Sequence, residues 1–239
     1  ATSIGVFKYD NKSDAFFSYN KSNLSGSFRN NEIRFFFEEV PGIQWIGTYG
    51  KGLIRLKKKK NQYRNFQVQP NNPNGINNND VNVIYKDRSG VLWIGTQQGI
   101  NKVDPAKNLF THYQHDPNKS NSLILNFVTA FCEDENGRIW IGTYGGGIDL
   151  FNRNTGTFEH YQHKKGQPSS LASNAVRAIE KDAFGRLWIG TMEGLDVYEH
   201  ETNSFHHISH GDSNKFSISG KDIMAVISND NNIWVGTYG

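Results

Sequence analysis

Leu187-Trp188-Ile189-Gly190-Thr191 is one of five versions of a single pentapeptide, and this stretch decides how the chain is read. The others are Gln44-Trp45-Ile46-Gly47-Thr48, Leu92-Trp93-Ile94-Gly95-Thr96, Ile139-Trp140-Ile141-Gly142-Thr143 and Ile233-Trp234-Val235-Gly236-Thr237. They hold all 5 tryptophans, at separations of 48, 47, 48 and 46 residues. Working outward, other positions recur in step. An acidic residue precedes each tryptophan (Glu39, Asp87, Asp134, Asp182, Asp230), and a polar residue opens each unit (Asn31, Asn79, Asn126, Asn174, Asp222). A Gly-apolar pair follows the first four pentapeptides, for example Gly147-Ile148 and Gly194-Leu195. An aromatic stands eleven residues after that glycine (Tyr63, Phe110, Phe158, Phe205). Fixed-period self-similarity of this kind is the signature of a repeat architecture.

Each unit reads as four short strands. Strand A follows the opening residue, as over Val176 to Glu180. An Asp-x-x-Gly turn then leads into strand B, which carries the pentapeptide; the Asp side chain accepts turn amides and the Gly supplies positive φ. Glycine-rich turns lead into strand C, and polar hairpins into strand D. Four antiparallel strands per 40–50 residues predict an all-β protein, a β-propeller of four-stranded blades, with the five tryptophans as structural residues between blades. Thr2, Gly5, Phe16 and Tyr19 align with Thr191, Gly194, Phe205 and Ile208 at a constant offset of 189. The expected organisation is therefore one propeller domain over 1–239. Its units run approximately 20–66, 67–113, 114–161 and 162–208, with a composite fifth blade from 209–239 and 1–19 that leaves no open sheet edge. The alternative is a fragment of a larger propeller.

Composition agrees. The chain has 28 Asn and 24 Gly against 6 Pro, and 13% of its 239 residues are aromatic. That is turn-rich, and far too aromatic for a disordered chain. No apolar run approaches a membrane span, and no signal segment is visible, so no direct membrane contact is expected of this segment. The 26 basic and 23 acidic residues give a net charge of +3. Much of the excess is Lys57-Lys58-Lys59-Lys60, read as a solvated hairpin turn; a nucleic-acid partner would show a broader basic stripe and is not expected. Cys132 is alone and lies in an apolar stretch, the setting of an inert buried thiol.

The run Ser170-Leu171 through Gly194-Leu195, with its Asn, Asp-x-x-Gly and Trp-Ile-Gly-Thr positions, resembles the two-component regulator propeller repeat. The resemblance extends over five copies. It implies the sensor region of a hybrid two-component histidine kinase: periplasmic, non-catalytic, and detecting oligosaccharides, with the kinase and further sensor domains in a parent chain. Family sensors usually combine seven-bladed rings with a β-sandwich, and neither feature is seen in this sequence. The last unit also departs from the pattern, with a shortened A–B turn at Asp230-Asn231-Asn232.

In a propeller the D–A and B–C loops open on one face around the central channel, and two sets of residues are expected there. One is the opening ring of Asn31, Asn79, Asn126, Asn174 and Asp222, which either meets a ligand (Asn126 and Asn174 being candidates) or satisfies its own turns. The other is the residue after each pentapeptide: Tyr49, Gln97, Tyr144, Met192 and Tyr238. Tyrosine faces and amides suit an oligosaccharide or other hydroxyl-rich small ligand. In strand A, Arg34, Asn82, Thr129, Arg177 and Ala225 form a further row. There Arg34 and Arg177 either bind carboxylate-bearing sugars or hydrogen-bond neighbouring carbonyls. The pairs His112/His115, His160/His163 and His207/His210 share a strand-D phase. Residues i and i+3 of a strand point to opposite faces, so no metal site and no cofactor is expected. Carboxylates for glycoside chemistry would have to come from scattered positions such as Glu32, Asp80 and Glu193, so no catalytic residue is assigned. A protein-interaction role, with self-association into a homodimer, is the alternative to ligand sensing; a propeller lyase or glycosidase is a third reading.

Overall fold

A computed structural model describes residues 7–10, 13–18, 33–60, 62–104, 109–208, 217–229 and 232–238. Among these the structure is all-β, apart from one 3-10 turn at Lys58–Lys60. No helix is long and apolar enough to cross a membrane. The chain divides into two compact units, Ala1–His112 and Tyr113–Gly239.

The first unit opens with the hairpin β1 (Phe7–Asp10) and β2 (Ala15–Ser18). Blade 1 follows as β3 (Ile33–Val40), β4 (Ile43–Thr48), β5 (Leu53–Lys57) and β6 (Gln62–Phe66). Blade 2 is β7 (Val81–Lys86), β8 (Leu92–Thr96), β9 (Gly99–Asp104) and β10 (Leu109–Tyr113), its last residue at the division. The second unit holds blade 3, made of β11 (Val128–Glu133), β12 (Ile139–Thr143), β13 (Gly147–Asn152) and β14 (Thr157–Tyr161). Blade 4 is β15 (Val176–Lys181), β16 (Leu187–Thr191), β17 (Gly194–Glu199) and β18 (Ser204–Ile208). The hairpin β19 (Asp222–Asn229) and β20 (Asn232–Tyr238) ends it. All four blades are meanders with strands paired in sequence order. Of the fifth unit expected from the sequence, Thr2, Gly5 and Tyr19 (the counterparts of Thr191, Gly194 and Ile208) and Asp230 lie outside the described residues.

The repeated residues build each blade from within. In the four blades the acidic residue six before the tryptophan accepts its indole N–H: Glu39 at 2.8 Å, Asp87 at 2.8 Å, Asp134 at 3.2 Å and Asp182 at 2.9 Å. Asp134 and Asp182 also accept the amides two and four residues on, which folds the A–B turn. Burial alone would raise the Asp182 carboxyl. Hydrogen bonds from Trp188, Arg186 and Phe184 outweigh it and hold the group below its ordinary value. Each described pentapeptide threonine of the four blades turns its hydroxyl onto the carbonyl of the glycine opening strand C, at 2.7–2.9 Å.

Within each unit, strand A of one blade or hairpin lies over strands A and B of the blade before it. The pentapeptide glycine makes that possible. A Cβ on Gly47 would lie 2.7 Å from Val81 Cγ1, one on Gly142 2.8 Å from Val176 Cγ1, and one on Gly190 2.7 Å from Ile223 Cγ2. Trp45, Trp93 and Trp140 are fully buried, and Trp188 is half-buried. Trp140 packs on Tyr161 of its own blade and Tyr198 of the next, at 5.3 and 4.6 Å between centroids. Trp234 differs, being 66% exposed: among the described residues its sheet has two strands, with no strand C or D beside it. Cys132 is buried, and its thiol is pushed up to about 12 by burial, so it is protonated and inert.

Candidate functional site

In blades 2, 3 and 4 the residue after the pentapeptide is held by its backbone. The amides of Gln97, Tyr144 and Met192 bond the carbonyls of Asp80 (3.3 Å), Phe127 (2.9 Å) and Ala175 (3.1 Å), just ahead of strand A. The scaffold therefore fixes the main chain here and leaves the side chain free to differ from blade to blade. Tyr49 (48% exposed), Tyr144 (39%) and Tyr238 (73%) present ring surface to solvent.

Strand A contributes the second row through a bulge. The A–B register slips by one at the same place in every sheet, and the residues left over are Arg34, Asn82, Thr129, Arg177 and Met224. Two readings of the last unit are corrected by this register. Ile223 opposes Thr237 as Val176 opposes Thr191, so Met224, not Ala225, is the counterpart of Arg177. By the same count Lys221, not Asp222, occupies the opening-asparagine position.

The arginines have partners. In the first unit, Arg34 donates to Asn82 Oδ1 at 2.9 Å and lies over the Tyr49 ring, 4.4 Å from its centroid. Asp80 Oδ1 accepts the Gly50 amide at 2.6 Å. In the second unit, Arg177 forks onto Asp222, Nε to Oδ1 at 2.8 Å and Nη2 to Oδ2 at 3.1 Å. Its guanidinium carbon lies 5.5 Å from the Tyr144 centroid, and Phe127 flanks that ring at 5.4 Å. Thr129 donates to the Val176 carbonyl at 2.8 Å. Of the two roles open to Arg177, the structure shows hydrogen bonding to a neighbour: a bidentate carboxylate site on it is already filled.

The opening asparagines are clamps. The Oδ1 atoms of Asn79, Asn126 and Asn174 accept the amides of Val68, His115 and His163 at 2.9, 2.7 and 2.6 Å, always eleven residues back. Asn31 lies outside the described residues.

The histidines are pins. His115 and His163 bond the carbonyls of Leu123 and Leu171 through Nδ1, both at 2.7 Å. His112 bonds the Gly75 carbonyl at 2.8 Å. His160 and His207 face the buried Asp149 and Asp196 directly across the C–D ladder, with Nδ1 to carboxylate distances of 2.5 Å. Each aspartate also accepts a loop amide, from Ile124 and Ala172 respectively. The hydrogen bond to Asp149 pulls the His160 imidazole up from its ordinary value, and that to Asp196 does the same for His207. Sequence reasoning missed these pairs, whose signal is a constant eleven-residue spacing between a strand-C aspartate and a strand-D histidine. Among the described residues no cluster of three or more His, Cys, Asp or Glu is placed to hold a metal ion. Of the scattered carboxylates, Asp80 caps Gly50, Glu193 pairs with Lys221 at 2.9 Å, and Glu32 lies outside the described residues.

Residues 75–98, 122–145 and 170–193 match the family described as two component regulator propeller. Three segments of the chain are thus similar to the two component regulator propeller repeat. Each match spans the opening asparagine, strand A, the Asp-x-x-Gly turn and the pentapeptide described above. No curated protein matches the sequence. Among solved structures, the chain is 27% identical to the extracellular domain of BT3049, described as a hybrid two component system of B. thetaiotaomicron. The TM-score is 0.72, with 100% of this chain aligned to 37% of that one. The extracellular domain of BT4673 from the same organism, described as a one component system, gives a TM-score of 0.77 at 23% identity, over 99% of this chain and 29% of its own. Virginiamycin B lyase from Staphylococcus aureus gives 0.67 at 13% identity, covering 98% and 70%. The last two likenesses show the β-propeller fold alone. The chain thus spans about a third of the two B. thetaiotaomicron extracellular domains it matches.

Proposed function

We propose that this chain is a non-catalytic, ligand-sensing propeller segment of a periplasmic two-component receptor, and that it reads neutral, hydroxyl-rich oligosaccharides on its tyrosine surfaces. The observation that carries the reading is the state of Arg177. Arg177 is neutralised by Asp222 and stacked against Tyr144, so that surface offers an aromatic platform rather than a bare charge. Exposed aromatic faces stack on the C–H surfaces of sugars, and rigid rings lose little entropy on binding. The three tyrosines also stand at positions where the backbone is scaffold and the side chain varies, which is where recognition can differ between blades. Non-catalytic action is supported by the histidines and carboxylates of these loops, which serve as clamps, caps and pins.

The test is a calorimetric screen of the full chain against neutral and uronic-acid-containing oligosaccharides. A neutral glycan is expected to bind, and Tyr144→Ala to weaken it by roughly 1–3 kcal/mol, a hot-spot magnitude. Neutralising Lys57–Lys60 should leave binding unchanged. Binding that depends on those lysines and ignores Tyr144 would overturn the assignment, and turnover of the bound glycan would show an enzyme.

A further inference from the structure

Blades 3 and 4 are entered through loops of one design. Asp116 and Lys164 both donate their amides to a serine hydroxyl six residues on, at 2.9 Å. Lys119 and Gln167 close the same turn onto the carbonyls of Asp116 and Lys164. Ile124 and Ala172 donate their amides to the buried aspartates of strand C. Against this common frame two differences stand out.

The first is volume. In blade 3 the side chains of Ile124 and Leu125 reach the B–C turn so closely that a Cβ on Gly146 would lie 2.9 Å from Ile124 Cγ2 and 2.8 Å from Leu125 Cβ. Blade 4 has Ala172 and Ser173 there. Ala172 cannot span the gap, and a cavity of about 370 Å³ opens between the loop, the B–C turn and the end of β18. That is within the size range of small-molecule sites, about 300–1,000 Å³.

The second difference is charge. Asp116 of blade 3 pairs with Lys119 at 3.2 Å. Its counterpart in blade 4 is Lys164, whose ammonium has no ion-pair partner among the described residues, and Lys119 is replaced by Gln167. Both line the cavity, together with an apolar wall of Pro168, Leu171 and Ile208. At its mouth stands Glu193, already paired with Lys221.

We infer that this cavity binds a small aliphatic hydroxy acid. The carboxylate would sit on Lys164 and Gln167, the carbon skeleton on Pro168, Leu171 and Ile208, and the hydroxyl on Glu193. An unpaired ammonium beside an amide donor selects an anion, and the apolar wall selects one with a hydrocarbon body rather than a bare inorganic ion. The site is independent of the tyrosine surfaces and of any glycan that binds there.

The experiment uses the full chain, titrated with 3-hydroxybutyrate and, as the uncharged control, with 1,3-butanediol, while the amide signals of Gly166, Ala172 and Gly194 are followed by NMR. Saturable shifts with the acid and none with the diol are expected. Lys164→Met should weaken binding at least tenfold. Ala172→Ile, which restores the side chain of blade 3, should abolish it and keep the native amide dispersion. If Ala172→Ile fails to fold, Lys164→Met decides. Equal shifts from acid and diol, binding unchanged in Lys164→Met, or no saturable shift with the acid would each overturn the inference.

Discussion

Gly142→Ala is the smallest change that probes how blades are held together. The added Cβ would lie 2.8 Å from Val176 Cγ1, 3.2 Å from Ala130 Cβ and 3.4 Å from Thr129 Oγ1. A separation under 3.0 Å cannot persist, so either Val176 rotates or β15 retreats from blade 3. Val176 is fully buried and β-branched, which makes rotation costly. Overpacking of this kind costs about 1–3 kcal/mol. A loss of about 2 kcal/mol would lower the melting temperature by roughly 4–8 °C in a protein of this size. Val176→Ala alone removes two buried methyl groups at about 0.8 kcal/mol each, plus a cavity contribution. It also removes the closest clash, so the double variant should lose about 1 kcal/mol less than the sum of the singles. Urea denaturation of all four proteins gives this coupling directly. Gly142→Ala as stable as the parent, or losses additive to within about 0.5 kcal/mol, would refute the idea that glycine sets the blade spacing.

Trp140→Ala should cost about 3–5 kcal/mol in the same assay, the usual range for truncating a buried aromatic. Trp140→Phe should fall between, because it keeps the ring contacts with Tyr161 and Tyr198 but leaves Asp134 without the indole donor. Stability should also depend on His160 and His207. Both are raised in the folded state by their aspartates, so the fold binds these protons more tightly than the unfolded chain does. Their contribution is full below about pH 6.5 and is lost as pH rises through the higher folded values. Urea midpoints should therefore decline as pH rises above about 6.5 in the parent, and a His160→Gln/His207→Gln variant should lose that part of the slope.

The blades were legible because their signals are local. An acidic-x-x-Gly turn, an alternating strand and an indole acceptor six residues back all lie within one unit, and the repeat states them in four of its five copies. What stayed hidden is contact between units. Arg177 meets Asp222, 45 residues away, and Arg34 meets Asn82, 48 residues away, through strands that share no turn. Complementary residues in nearby columns of successive repeats would have suggested such pairs. The last unit was misread by one place because its A–B turn is short, and counting from Asp222 carried the shift to Ala225. The Asp149–His160 and Asp196–His207 pairs are hidden for a different reason: the histidines repeat visibly from blade to blade, whereas their partners sit across the C–D ladder.

The asparagine clamps make the D–A loops entering blades 2, 3 and 4 closed cassettes. Asn126 ties its own strand entry to the amide of His115, and Asn174 does the same for His163, so both ends of the intervening stretch are fixed at one point. Whatever lies between can lengthen, shorten or change composition without pulling on the strands it joins, as in compact surface loops whose ends meet. The blade stack and the loop tips are thereby separately editable. A propeller wired in this way can be given a new specificity by grafting the residues between clamp amide and clamp asparagine from one blade into another, with the core left untouched.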